Sequence, residues 1–268
     1  MSNFKDKIVV ITGGSDGIGK ALVQQFLALG AKVATCGRNT SKLALLEQEN
    51  SNSNLFTLQV DVSNSLEVEA FMKAIIAKWN GMDILINNAG ISMRALVQDT
   101  SYETLHQVMD INFWGTVYCT KTALPYILKN KGVVVGVSSI AGYRGLPGRS
   151  GYSASKFALN GWLEALKTEL YGSGTHVMWV CPGFTSSNIR NAALDKNAQA
   201  QGESPLDEGS MMSSDVCATH IINAIDQRKR SLVLTFTGKR TVFMNKYFPA
   251  WADKLVHQFF FKDGVLVK

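Results

Sequence analysis

With 268 residues and 46% hydrophobic composition, the chain is long enough for one sizeable core, and a single domain is the simplest count. Its net charge of +6 does not mark a nucleic-acid binder: residues 228–268 hold nine Lys/Arg against two Asp/Glu, whereas residues 1–227 hold eighteen against nineteen, so the basic character belongs to the tail. No run of about 18 apolar residues predicts a spanning helix, and the strand-like run Lys7–Ile11 begins too early to leave room for a signal peptide, so a cytoplasmic protein is expected.

The first β-rich run covers residues 7–12. It leads into "TGGSDGIGK", residues 12–20, and a helical pattern over 18–29. Glycines at such a turn let the backbone approach a pyrophosphate closely. The helix that follows offers the anion its unpaired N–H groups and positive dipole end. The strand–turn–helix context is what a glycine motif needs to carry weight. Gly13, Ser15, Asp16, Gly17, Ile18 and Gly19 are therefore candidate nucleotide contacts. The second strand, 32–36, runs into "ATCGRN", residues 34–39. An acidic residue there would bind a ribose 2′-hydroxyl and repel a 2′-phosphate. None is present, and Arg38, beside Asn39, is a charge-assisted donor for a phosphate. NADP(H) is the expected cofactor, with the negative charge of Asp16 acting against it.

Helical and strand-like runs then alternate: helix 41–50, strand 55–60, helix 65–79, strand 83–87, helix 100–129, strand 132–138, helix 152–172 and strand 176–181. A helix over 214–228 and a strand over 231–235 follow. Continuous apolar runs such as Val133-Val134-Val135-Gly136-Val137 suit strands buried on both faces. The alternation predicts an α/β fold: a doubly wound, Rossmann-type parallel sheet of about seven strands. A catalytic body over 1–237 and a basic, aromatic extension over 238–268 are expected to form one domain. The polar stretch 185–210 interrupts the pattern and reads as a lid. In the extension, Phe248, Trp251, Leu255 and Phe259 recur at helical spacing around Pro249, which opens a second short helix. The extension is expected to pack across subunits of a homo-oligomer (dimer or tetramer) or near the substrate mouth; the stripe needs a cover, whether the protein's own core, a second copy, or a membrane surface. Cys36, Cys119, Cys181 and Cys217 are widely spaced and read as buried thiols. The four histidines are scattered, so no metal is expected.

The most telling stretch is "GYSASK", residues 151–156. Tyr152 and Lys156, four apart at a helix start, share one face. An adjacent ammonium favours a phenolate, and lowering a phenol by ~3 units needs roughly 4 kcal/mol of preferential stabilisation. Further landmarks fall in order: Asp61-Val62 after the third strand, "NNAG" at 87–90, Asn112 in the next helix, "SSIAG" at 138–142, and "CPGFT" at 181–185. Jointly with Thr12-Gly13-x-x-x-Gly17-x-Gly19, they resemble the short-chain dehydrogenase/reductase family over residues 5–235. The resemblance implies that Tyr152 is the general acid or base. It implies that Lys156 lowers the Tyr152 pKa and holds the nicotinamide ribose, that Ser139 bonds the substrate oxygen, and that Asn112 positions a water linking Lys156 to solvent. It also implies cofactor contacts from Asp61, Val62, Asn88, Ala89, Gly90, Pro182, Gly183 and Thr185. NADP-preferring relatives often carry a basic residue where Asp16 stands.

Two rival functions meet counter-signals. The complete Ser-Tyr-Lys-Asn set argues against a non-catalytic nucleotide-binding regulator. The TGxxxGxG spacing and the short region after residue 185 argue against an epimerase or dehydratase of the same superfamily. The substrate side should draw on Ser92, Met93, Arg94, Ser139, Tyr143, Arg144, Leu146, Arg149 and Phe184. That mixture suits a moderately apolar carbonyl compound with a polar or anionic end. "GISMRALVQDTSYE" and "RKRSLVLTFTGK" are similar to the branch holding 11β-hydroxysteroid dehydrogenases and related membrane-associated reductases, which implies peripheral contact with a membrane.

Overall fold

The computed structural model describes residues 3–50, 53–202, 209 and 211–267. Seven parallel strands form one sheet: β1 (Ile8–Thr12), β2 (Lys32–Gly37), β3 (Leu55–Gln59), β4 (Ile84–Asn87), β5 (Val133–Val137), β6 (His176–Cys181) and β7 (Ser231–Val233), in the order β3-β2-β1-β4-β5-β6-β7. Val9 pairs with Val33 on one side and Ile84 on the other. The winding reverses between β1 and β4, which opens a cleft at the carboxyl ends of the strands. Every residue of β1, β4, β5 and β6 is buried, as expected of parallel strands covered on both faces. The helices α1 (Gly17–Ala28) and α7 (Ser214–Asp226) cover one face. The helices α3 (Ser65–Trp79), α5 (Gly115–Lys129) and α6 (Ser150–Glu169) cover the other. Two more helices, α2 (Thr40–Glu49) and α4 (Tyr102–Met109), complete the body of the molecule.

The helix expected over 100–129 is divided. Between α4 and α5 lies a π-helical turn, Asp110–Trp114, a local widening that in general often marks functional sites. It carries Asn112, whose side-chain oxygen accepts from the Ile91 N–H at 2.8 Å. The Asn112 amide donates to the Ile91 carbonyl at 2.9 Å and to Ser155 Oγ at 3.0 Å. The turn thereby fastens the loop after β4 to α6.

β7 stops two residues short of expectation. Thr235 leaves the extended region at φ +63°, and its hydroxyl caps the next helix by accepting from the Gly238 N–H at 3.0 Å. That helix, α8 (Phe236–Tyr247), is followed by α9 (Pro249–Phe260), with Pro249 at its first turn. A two-stranded hairpin, β8 (Phe261–Lys262) with β9 (Val265–Leu266), turns at Gly264 and ends the described chain. Arg144 pins this extension by donating to Asn245 Oδ1 at 2.9 Å and pairing with Asp253 at 2.6 Å, while the Asn245 amide donates to the Tyr143 carbonyl at 2.8 Å. No helix among the described residues is long and apolar enough to cross a membrane.

Candidate active site

A cavity of about 860 Å³ opens at the carboxyl edge of the sheet and runs from the glycine turn to the C-terminal extension. Its nucleotide end is built by β1, the turn and α1. Gly13 has φ +69°, a left-handed conformation that suits glycine. A Cβ on Gly19 would lie 2.1 Å from the Gly13 carbonyl oxygen, so only glycine lets the helix start pack this closely on the turn. Asp16 caps α1, its carboxylate accepting from the Gly17 N–H at 2.7 Å. Thr12 Oγ1 accepts from the Asn88 and Ala89 N–H groups, both at 3.0 Å, and the Asn88 amide donates to the carbonyls of Thr12 and Gly13. These bonds lock β1 and β4 together at the switch point. Ser15, Ile18, Arg38, Asn39, Asp61, Val62, Gly90, Pro182, Gly183 and Thr185 line the same cavity.

One residue that the sequence did not single out is Lys42. It forms an ion pair with Asp16 and lines the cavity beside Arg38. The Asn39 side chain caps α2 by accepting from the Lys42 N–H at 2.9 Å, which fixes where the lysine leaves the backbone. The negative charge expected to weigh against a 2′-phosphate is therefore matched by a cation. Arg38 stands 3.8 Å from Asp61 and is largely exposed. This end of the cavity fits a phosphorylated nucleotide: a close backbone cradle, a helix N-terminus and two cations above it.

Ser139, Tyr152 and Lys156 meet in the middle of the cavity. Ser139 ends the segment after β5, and its hydroxyl accepts from the Ala141 N–H at 3.1 Å. Burial raises the Tyr152 phenol pKa, and hydrogen bonding to Ser139 and the positive charges of Arg149 and Arg190 oppose that rise. Lys156 Nζ lies 5.8 Å from the Tyr152 ring centroid and donates to the Val137 carbonyl at 2.8 Å. The sequence assigned the lowering of the phenol pKa to Lys156; the positive neighbours acting on it here are the two arginines. Lys156 is itself brought down to about 8 by burial. Asn112 does not line the cavity. It lies behind it, with Asn112 Oδ1 and Lys156 Nζ flanking the same point above Gly90.

The buried lysine carries a stability cost. Its folded pKa, about 8, lies below the ordinary 10.5. Below about pH 8 the penalty for a buried ammonium is felt in full. Between the two values the unfolded chain holds more protons than the folded one, so stability rises with pH. Lys156→Met is expected to raise the unfolding free energy by about 1–3 kcal/mol at pH 7, and the gap from wild type should shrink towards about pH 10. Urea unfolding at the two pH values checks this. No gain at pH 7 would mean that the bond to Val137 compensates for burial.

On the substrate side, Ser92, Leu146, Arg149 and Phe184 line the cavity. Four other expectations change. Met93 is fully buried and bridges to Leu194, with its sulfur beneath Gly151. The Tyr143 hydroxyl is taken up by the Trp179 Nε1–H at 2.9 Å, within the core. Arg144 holds the extension, as described above, and Arg94 is not among the lining residues. The 185–210 stretch and the C-terminal extension, both expected near the substrate mouth, supply further residues. Arg190, from the 185–210 stretch, is buried and donates to the Thr185 carbonyl at 2.7 Å. Leu255, Val256, Phe259 and Phe260 of α9 form one wall of the cavity, and Phe259 stacks on Phe184 with centroids 6.0 Å apart. Of the stripe expected from the sequence, Leu255 and Phe259 line the cavity, whereas Phe248 and Trp251 do not and are more than half exposed. Residues 203–208 and 210 of the expected lid lie outside the described residues. The four cysteines are free and buried, and no group of metal-ligating side chains is present among the described residues.

Comparison with known proteins agrees with this architecture. The family model for short chain dehydrogenases matches residues 7–198. Dehydrogenase/reductase SDR family member 7B of Mus musculus is 32% identical over 264 residues, covering 92% of this chain and 79% of that protein. Dehydrogenase/reductase SDR family member 7 of Homo sapiens is 32% identical over 256 residues, covering 92% and 76%. A Burkholderia phymatum short chain dehydrogenase/reductase, solved in complex with NAD, has a TM-score of 0.81 at 23% identity over 94% of this chain and 96% of that one. An alcohol dehydrogenase from Thermococcus sibiricus, complexed with 5-hydroxy-NADP, has a TM-score of 0.74 at 21% identity over 85% and 94%.

Proposed function

The chain belongs to the short-chain dehydrogenase family, and from that premise we propose that it is an NADP(H)-dependent oxidoreductase acting on a carbonyl or secondary alcohol of a moderately apolar substrate. The observation that carries the reading is the convergence of Ser139, Tyr152 and Lys156 in one cavity with the glycine cradle. The nicotinamide, when bound, supplies or accepts the hydride. The chain's part is to bind, orient and move a proton. The Tyr152 phenol, kept protonated by its burial, donates its proton to the carbonyl oxygen during reduction; in the reverse direction its phenolate accepts one from the alcohol. Ser139 donates a hydrogen bond to that same oxygen and stabilises charge as it develops. The Lys156 ammonium holds ribose hydroxyls and supports the phenolate left after proton transfer. Asn112 fixes the loop above Gly90 and keeps Lys156 in place. In the cradle, Arg38 and Lys42 hold the 2′-phosphate, with Asp16 neutralised by the second of them.

The extension over 238–268 works as part of the same catalytic unit, because α9 walls the substrate end. Its outer face presents Trp251, Phe248 and Tyr247, all more than half exposed, near Lys246 and Lys254. Such a face suits an anionic membrane surface or a second copy of the chain. Trp251→Glu leaves the cavity wall intact. It is expected to abolish co-sedimentation with anionic vesicles or to lower the mass seen in light scattering. If neither changes, the outer face has no partner role.

The function is tested by following NADPH absorbance across a panel of aldehydes and ketones. Reduction of at least one carbonyl class, dependent on Tyr152, is the expected result. NADPH binding without turnover of any of them would favour a nucleotide-binding regulator.

A further inference from the structure

Arg149 breaks several local rules at once. It is the residue preceding the first turn of α6, where Ser, Thr, Asp or Asn is preferred, and its side chain makes no capping bond. A cation there opposes the positive end of the helix dipole. The side chain is 93% buried, being 7% exposed, yet no carboxylate among the described residues pairs with it. Burial lowers its pKa; the Tyr152 phenol acts in the opposite direction, and the cations Arg190 and Arg94 add to the lowering. Its guanidinium sits 5.6 Å from the centroid of Phe260, and it lines the cavity three residues before Tyr152. A buried cation without a counter-charge costs stability unless something supplies that charge, and such local violations concentrate at functional sites.

We propose that Arg149 binds an anionic group of the substrate, a carboxylate or a phosphate. The substrate is then an amphiphilic carbonyl compound. Its charged end is held at Arg149 with Arg190 adjoining, and its apolar part lies along Leu146, Phe184, Leu255 and Val256. This rests on the oxidoreductase reading and narrows its substrate class.

The test uses the NADPH-loaded full chain and three probes with one apolar tail: decanoate, decyl phosphate and neutral decanol. Calorimetric titration is expected to show at least one anion binding about tenfold or more tighter than decanol. R149Q should remove most of that difference, and R149K should retain part of it. Equal affinity for all three probes, or anion affinity unchanged in R149Q, overturns the proposal. If R149Q fails to fold, the wild-type comparison of the anions with decanol still decides. Activity separates the two readings. Reduction of neutral ketones in preference to their ω-carboxylated or phosphorylated counterparts refutes the anion subsite and leaves the oxidoreductase reading standing. Absence of any reduction counts against that reading, while the binding data still judge the subsite.

Discussion

Tyr152→Phe is expected to lower kcat by about 10²–10⁴-fold while NADPH still binds. The substitution removes a single oxygen and keeps the ring, so packing against the cavity wall should be little changed. What disappears is the proton that the carbonyl oxygen must receive as it is reduced. The phenol is raised by burial and lowered by Ser139, Arg149 and Arg190, so it stays protonated across the neutral range and can act as an acid. Ser139 hydrogen-bonds the phenol but cannot replace it, because a hydroxyl without a neighbouring base does not readily give up its proton. Stopped-flow turnover together with fluorescence titration of NADPH separates the rate from the affinity. Full activity in the variant would remove Tyr152 from the reaction. Loss of NADPH binding to the same extent as turnover would make its role structural.

Arg38→Asp is expected to raise the KM for NADPH by about 10- to 100-fold and to leave that for NADH within about threefold. Arg38 is largely exposed, so solvent screening holds the effect below that of a buried pair. Lys42→Ala should act in the same direction and more weakly. It removes one cation and also releases the Asp16 carboxylate, which then faces the phosphate alone. Asp16→Asn should tighten NADPH in the Lys42→Ala background, because its charge is then the remaining repulsion. Equal use of NADH and NADPH by the unmodified protein would assign the cations to surface solvation and end the NADP reading.

The parts of the molecule legible in the sequence are those that local chemistry dictates. β5 is Val-Val-Val-Gly-Val because both of its faces are covered, and that composition can be read without knowing the covers. The glycine turn is readable because Gly13 and Gly19 stand where a Cβ would clash or a left-handed backbone is needed. The helical spacing of Tyr152 and Lys156 raises the question of a paired phenol and ammonium, and only the ordered landmarks around them, read as a family resemblance, give that pair a role. What stayed hidden depends on partners distant in sequence. The π turn exists because Asn112 is captured by Ile91, 21 residues away. Tyr143 looked like a cavity residue but is claimed by Trp179, and Arg144 is claimed by Asn245 and Asp253. Lys42 reaches Asp16 across 26 positions. For α9 the stripe was readable and the substrate mouth was one of its expected places, but which of its residues line the cavity was not. The one misfit that local rules do flag is Arg149, a cation at a helix start.

The account's central claim is that this cavity transfers hydride to a carbonyl carbon, with the chain supplying the proton. NADPH carrying deuterium at the transferring C4 position tests it most directly. The wild-type protein should yield an alcohol that contains one deuterium per molecule, on the former carbonyl carbon, with one NADPH oxidised per product and about 10²–10⁴-fold slower formation by Tyr152→Phe. A product formed without deuterium, or without net oxidation of NADPH, would contradict the account and place the chain among the isomerising or dehydrating members of its fold.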